Sequence, residues 1–133
     1  MFGKRWMARL AAHDPAPVER ALDTVQASPG GAPPEPGAVR DALAASEVVA
    51  ASLGRPSESL PTEAHALVKN CAGELRRLRE KARAAIERIG GVPEQTYDPR
   101  DVYDEPDGAV EHADADARRW RTEMDQLSLR LAD

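Results

Sequence analysis

The chain is poor in the residues that usually fill or cross-link a protein interior. Its 133 residues include one cysteine, one phenylalanine, two tryptophans and two tyrosines, and only 23 are Leu, Ile, Val or Phe. A single cysteine, Cys71, excludes an intramolecular disulfide, so a reducing compartment is the default expectation. The shortage of large apolar side chains predicts a thin core, which contact with a partner or a second copy would stabilise.

Long apolar runs and a strong net charge are also missing. No stretch approaches the roughly 18 apolar residues that cross a bilayer. The basic start, "MFGKRWMARLAAHD", has its apolar part interrupted by Arg9 and ended by Asp14, which argues against a secretory signal and favours a cytoplasmic protein. With 18 basic and 23 acidic residues, the charge is too mild to favour disorder. Fifteen of the basic residues are Arg, a bias typical of high-GC bacterial genomes.

The motifs of common enzyme and metal sites do not occur. His13, His65 and His112 are scattered, without His-x-x-x-His or Cys-x-x-Cys spacing. There is no Gly-x-Ser-x-Gly elbow, phosphate-binding loop or dinucleotide fingerprint. Cys71 falls on an apolar helix face, where a free thiol behaves as a small core residue. We therefore expect a non-enzymatic protein without cofactor or bound metal.

Alanine and a helical spacing of apolar residues are what the chain has in abundance. It contains 24 Ala, and three elements carry small or apolar residues at alternating steps of three and four, which keeps them on one side of a helix. The three seams are Val39, Ala42, Ser46, Val49 and Leu53; Val68, Cys71, Leu75, Leu78, Ala82, Ala85 and Ile89; and Val110, Ala113, Ala117, Trp120, Met124, Leu127 and Leu131.

These seams predict one all-α domain over residues 1–133, a three- or four-helix bundle built on a long antiparallel helical hairpin. The hairpin pairs residues 62–90 with 109–132, and helices over 15–27 and 38–53 cover its open side. Asp14 followed by Pro15 marks the start of the first of these. The alternative is that the seams pair between chains as a coiled coil, which would give a homo-oligomer.

Three further segments complete the predicted organisation. Residues 1–13 are an N-terminal amphipathic segment, and 28–37 are a Pro/Gly-rich linker. Residues 38–133 form the main helical bundle, which contains an acidic connector over 91–108.

The stretch from 74 to 88 is basic, with six Lys or Arg against three Glu. We expect these charges to be neutralised within the chain, because residues 94–108 hold six acids against Arg100 and residues 110–133 hold six against four Arg. The alternative is a small nucleic-acid-associated protein. Its polyanion-binding residues would be Arg76, Arg77, Arg79 and Arg83.

The connector contains "YDPRDVYDEPDG", in which Tyr-x-x-x-Asp occurs twice, at Tyr97 with Asp101 and at Tyr103 with Asp107. This pairing resembles the secretion signal of actinobacterial type VII substrates, which are helical hairpins. In that family the signal follows the second helix and a Trp-x-Gly turn joins the helices, whereas here the pattern lies between helices without such a turn. The other interpretations are a loop pinned onto the bundle by its tyrosines and a partner-docking loop.

The N-terminal segment places Phe2, Trp6 and Leu10 four residues apart among Lys and Arg. Residues 2–12 could lie on an anionic membrane surface, insert into a groove of a partner, or form one more helix of the bundle.

Taken together, these features predict a protein–protein interaction module, acting as an accessory, adaptor or regulatory subunit of a bacterial complex. Its partner would be another protein. The candidate partner-binding residues are Phe2, Trp6, Leu10, Tyr97, Asp101, Tyr103 and Asp107.

Overall fold

All regular elements in the described part of the chain are α-helices. The structure is a computed structural model that describes residues 4–27, 33–55, 60–92 and 113–132, with the backbone alone for Lys4 and for 113–120. The helices are α1 (Lys4–Met7), α2 (Ala16–Gln26), α3 (Pro36–Ser52), α4 (Thr62–Arg76), α5 (Arg79–Gly90) and α6 (Ala113–Leu131). The predicted all-α class is therefore confirmed.

Helix α3 lies at the centre of the fold and packs against all five other helices. Every residue from Ala42 to Ser52 is buried, so this stretch has no face toward solvent. Alanine and serine let neighbouring helices approach closely, and the buried hydroxyls of Ser46 and Ser52 donate to backbone carbonyls of their own helix, 2.9 and 2.6 Å away. The predicted seam through Val39, Ala42, Ser46, Val49 and Leu53 is therefore only part of the buried surface of this helix.

The predicted rod over 62–90 is broken into two helices. Helix α4 ends at Arg76 and α5 begins at Arg79, and within α4 the backbone of Cys71 leaves helical geometry, with φ −128° and ψ 30°. The seam positions from Cys71 to Ile89 are nevertheless buried, and Val68 is half-buried. The apolar face was predicted correctly. The continuous rod was not, because the turn at 77–78 lets α4 and α5 pack separately against α3.

Helices α5 and α6 lie side by side in opposite directions. Arg79, at the start of α5, donates from Nε to the carbonyl of Leu131 at the end of α6 (2.7 Å). Arg121 donates to the carbonyl of Gly90, at the end of α5 (3.3 Å). The buried side chains of α6 are Met124, Leu127 and Leu131. The remaining seam positions of this helix lie outside the described side chains.

The N-terminal segment and α2 belong to the same core as α3. Met7 and Leu10 are buried in one apolar cluster with Val18, Leu22 and Val25. Asp14 lies one residue before the predicted start of α2: the N-cap position is Pro15, and Asp14 Oδ1 accepts the N–H of Ala16, the first residue of the helix, at 3.1 Å.

The predicted boundary of the Pro/Gly-rich linker changes. Helix α3 begins at Pro36, so Pro36 and Gly37 are helical rather than part of the linker, since proline is well suited to the first turn of a helix. Residues 28–32 lie outside the described residues. None of the helices in the described ranges combines the length and the apolar character needed to cross a bilayer.

Candidate functional site

An open groove forms where the start of α2 meets the bend between α4 and α5. It has a volume of about 390 Å³. Its lining residues are Asp14, Pro15, Ala16, Glu19, Glu74, Arg77, Leu78 and Lys81. We refer to it as the α2–α5 groove. Two of its lining residues, Arg77 and Leu78, form the turn between α4 and α5.

The charges of the α2–α5 groove fall into two groups. Lys81 forms ion pairs within the chain: its Nζ is 3.0 Å from the nearer carboxylate oxygen of Asp23 and 3.8 Å from Glu19. These ion pairs connect α5 to α2. The hydrogen bond to Asp23 is the main cause of the raised pKa of Lys81. Glu74 and Arg77 are exposed, and neither forms an ion pair with another described residue. Their charges are therefore directed to solvent.

Cys71 lies next to the acidic end of this groove. Its side chain is buried, with 7% exposure. Burial raises the pKa of the Cys71 thiol, and the carboxylates of Glu74 and Asp14 raise it further. The thiol is therefore kept protonated, which suits a core residue and opposes a nucleophilic role. The same effect shows that Glu74 and Asp14 create a negative potential at this end of the groove.

Replacing Glu74 by glutamine should lower the pKa of Cys71 and increase its reaction rate with iodoacetamide several-fold at mildly alkaline pH, because one of the negative charges that oppose the thiolate is removed. The pH dependence of the alkylation rate measures this directly. Glu63→Gln, an exposed position in the first turn of the same helix, is the matched control. Identical pH profiles for both variants would contradict the electrostatic coupling.

The raised pKa also has a consequence for stability. The contribution of the protonated thiol is fully present below the pKa that it has in the unfolded chain, and it is lost as the pH rises through the folded-state pKa. The free energy of unfolding should therefore fall over this alkaline range. The free energy of unfolding of Cys71→Ala should fall less over the same range, because this variant has no thiol.

Two of the four predicted polyanion-binding arginines are directed toward helix ends. Arg76 donates from Nε to the carbonyl of Ser52 at the end of α3 (2.8 Å), and Arg79 donates to the end of α6. Arg83 is 3.5 Å from Glu80. Arg77 is the one that points into the α2–α5 groove. Among the described residues, this positive charge meets the carboxylates of α2 and helix carbonyls. Residues 94–108, the acidic stretch that the sequence suggested as a partner, lie outside the described residues.

Of the predicted partner-binding residues, the structure describes Trp6 and Leu10, and both pack against the core. Leu10 is buried in the core and Trp6 is half-buried against it. The amide of Asn70 also holds this segment, by donating to the carbonyl of Ala12 (3.1 Å). The apolar side of residues 4–12 is thus used inside the bundle. Phe2, Tyr97, Asp101, Tyr103 and Asp107 lie outside the described residues.

A polar corner at the end of α6 was missed by sequence reasoning. Glu47 on α3 accepts two hydrogen bonds from the guanidinium of Arg130, at 2.8 and 3.1 Å, and its side chain is only 3% exposed. Arg55 donates to the carbonyls of Arg130 and Ala132 at 3.2 and 2.8 Å. Such arginines satisfy the carbonyls that a helix end leaves unpaired and complement its negative dipole.

The comparisons with known proteins add no family to this geometry: no protein-family model, curated protein or solved structure matches the chain. Among the described residues, no group of three or more His, Cys, Asp or Glu side chains is placed to hold a metal ion.

Proposed function

We propose that this chain is a non-enzymatic protein–protein interaction module that binds a polypeptide segment in the α2–α5 groove. The observation that carries the proposal is the combination of apolar lining residues, Pro15, Ala16 and Leu78, with exposed charged lining residues of both signs. Because this groove is open, it suits a peptide better than a small molecule, which usually binds in a pocket that buries most of its surface.

The charges indicate what the bound segment should look like. Asp14 and Glu74 make one end of the groove negative, so a lysine or arginine of the partner belongs there. Arg77, one helical turn beyond Glu74, would receive an acidic side chain. Complementary charges of this type set the register and association rate of a complex more than its affinity.

The alternative, a nucleic-acid-associated protein, has less support from the contacts. Arg76 and Arg79 would have to leave the helix carbonyls that they bind, and the neighbouring Asp14, Glu19 and Glu74 would repel phosphates.

We further infer that the scaffold of the module is the antiparallel pair of α5 and α6, the part of the predicted hairpin that remains after the break at 77–78. A reducing, cytoplasmic location fits the buried, unpaired thiol of Cys71.

A charge reversal tests this proposal. Tagged wild-type protein should capture specific polypeptides from its cells of origin, and Glu74→Arg with Arg77→Glu should lose them, with at least about a tenfold weaker Kd for the purified pair. The matched control reverses Glu80 and Arg83, which have the same spacing on α5 but lie outside the groove.

Two results would count against the proposal: equal capture by both double variants, or no polypeptide enriched by the wild type. A salt-dependent mobility shift of DNA or RNA that is lost in Arg77→Glu would instead favour the nucleic-acid alternative.

A further inference from the structure

The size of the α2–α5 groove suits side chains rather than a length of main chain. Its volume is about 390 Å³, near the lower end of the roughly 300–1,000 Å³ of pockets that enclose a small ligand. The apolar lining residues Pro15, Ala16 and Leu78 offer contacts to a few apolar side chains. A bound segment therefore places side chains in the groove while its own main chain stays outside.

The backbone on the α2 side of the groove has its N–H groups already paired. Residues 14–19 line or adjoin the groove, and two of them are prolines, which carry no N–H. The other four donate within the chain: Asp14 to the carbonyl of Ala11 (3.2 Å), Ala16 to Asp14 Oδ1 (3.1 Å), and Val18 and Glu19 to the carbonyl of Pro15 (3.1 and 3.4 Å). This side of the groove therefore has no backbone donor for the main chain of a bound segment.

The backbone of the apolar residue on the opposite side is also paired. Leu78 donates its N–H to the carbonyl of Leu75 at 3.0 Å, and its own carbonyl accepts the N–H of Ala82 at 2.9 Å. Extended peptides usually gain affinity from main-chain hydrogen bonds to a sheet edge, and the regular elements of the described residues are all helices. A helical segment pairs its main-chain groups internally and binds through side chains. The pairing on both sides therefore favours a helix.

The exposed charges of the groove have a spacing that a helix can match. Glu74 lies in the last turn of α4, and Arg77 directly follows the last residue of that helix. Three positions correspond to about 4.5 Å along a helix axis. Residues three or four apart on a partner helix are separated by about 4.5–6 Å along its axis, whereas residues on the same side of an extended strand are about 6.6 Å apart.

We propose that the segment bound in the α2–α5 groove is an amphipathic α-helix, whose contact face carries an apolar residue beside a basic and an acidic residue three or four positions apart. The basic residue meets Asp14 and Glu74, and the acidic residue meets Arg77. The apolar residue packs against the apolar lining residues of the groove. This proposal rests on the function proposed above, because it names the kind of segment that the groove binds.

Two displayed peptide libraries test whether the bound segment is helical. Both randomise the same positions, at the spacing i, i+3, i+4 and i+7, one within an alanine-rich frame that forms a helix and the other within a flexible Gly/Ser frame. Each library is selected on the full-length wild-type protein and counter-selected on Glu74→Arg with Arg77→Glu. We expect groove-dependent binders from the alanine frame, enriched in a basic and an acidic residue three or four positions apart.

The other outcomes separate this proposal from the proposed function. Groove-dependent binders from the Gly/Ser frame alone would overturn the helix and leave the function standing. If neither library gave a binder that the double variant rejects, both proposals would fail.

Proline substitutions in a selected peptide measure the need for a helix directly. Proline at the centre removes a hydrogen bond and breaks the helix, so the Kd from isothermal titration calorimetry should weaken about a hundredfold. Proline at the first helical position is the matched control, because helix starts tolerate it, and should leave the Kd within about twofold. Equal Kd values for the two peptides would show that the segment does not bind as a helix.

Exchanging charges on both partners tests where the charged residues bind. A peptide in which the basic and acidic residues trade places should lose the wild type and bind Glu74→Arg with Arg77→Glu, because both opposite-charge contacts are restored. The reversal of Glu80 and Arg83, which lie outside the groove, is the control and should keep the original peptide. Equal binding of both peptides to the wild type would contradict the assigned positions.

Discussion

Arg130→Ala should lower the free energy of unfolding by about 3–5 kcal/mol, one of the two largest losses that we expect from a single substitution. The reason is the partner left behind: Glu47 is buried on α3, and without the guanidinium its carboxylate is unpaired. A total stability of about 5–15 kcal/mol is usual for a domain, and the thin core makes the lower part of that range the expectation here. Urea denaturation followed by far-UV circular dichroism measures the loss.

Two further variants separate a buried-charge penalty from a simple loss of attraction. Lys81→Ala breaks an exposed ion pair with Asp23, and because solvent screens such pairs, its loss should be much smaller than that of Arg130→Ala. Replacing both Glu47 and Arg130 by methionine should recover most of the Arg130→Ala loss, because no charge is left buried. If the double variant were as unstable as Arg130→Ala, the unpaired carboxylate would not be the cause.

Detachment of α6 from the bundle would limit the loss of stability in Arg130→Ala. If detaching α6 from α3 and α5 costs less free energy than burying the unpaired carboxylate of Glu47, the helix will detach and water will solvate the carboxylate. Amide hydrogens of α6 would then exchange with solvent much faster than those of α3 in Arg130→Ala.

The helical class and much of the core were predictable because they depend on local spacing. Steps of three and four keep residues on one side of a helix wherever it packs, so Cys71, Leu75 and Ile89 could be placed in the core without knowing their neighbours. The bend at 77–78 was not predictable from that spacing, since the apolar face continues through it. Both residues of that bend line the α2–α5 groove.

The polar contacts were harder to predict because their partners are distant or carry no side-chain signal. Glu47 and Arg130 are 83 positions apart. The groups that bind Arg76 and Arg79 are backbone carbonyls, which every residue has. A charge count along the chain therefore pointed to acidic stretches as the partners of the basic helix and could not identify helix ends as acceptors.

The near absence of charge in one stretch of the sequence does indicate the buried central helix. From Ala42 to Ser52 the only charged residue is Glu47, whereas a helix with a solvent face normally carries charges on one side. An eleven-residue stretch with one charge indicates burial on all sides, and the seam through Val39, Ala42, Ser46, Val49 and Leu53 described only part of it.

Ala44→Glu tests this position of α3 most directly, because Ala44 lies off the predicted seam and is fully buried. With helices on all sides, the new carboxylate has no route to water, and the loss should be on the order of 4 kcal/mol or more. Ala84→Glu is the matched control, since it makes the same change within a helix at an exposed position of α5. Thermal denaturation should show a greatly lowered Tm for the first variant alone. If both variants had the same Tm as the wild type, one side of α3 would have to face solvent, and the central packing of this helix would be wrong.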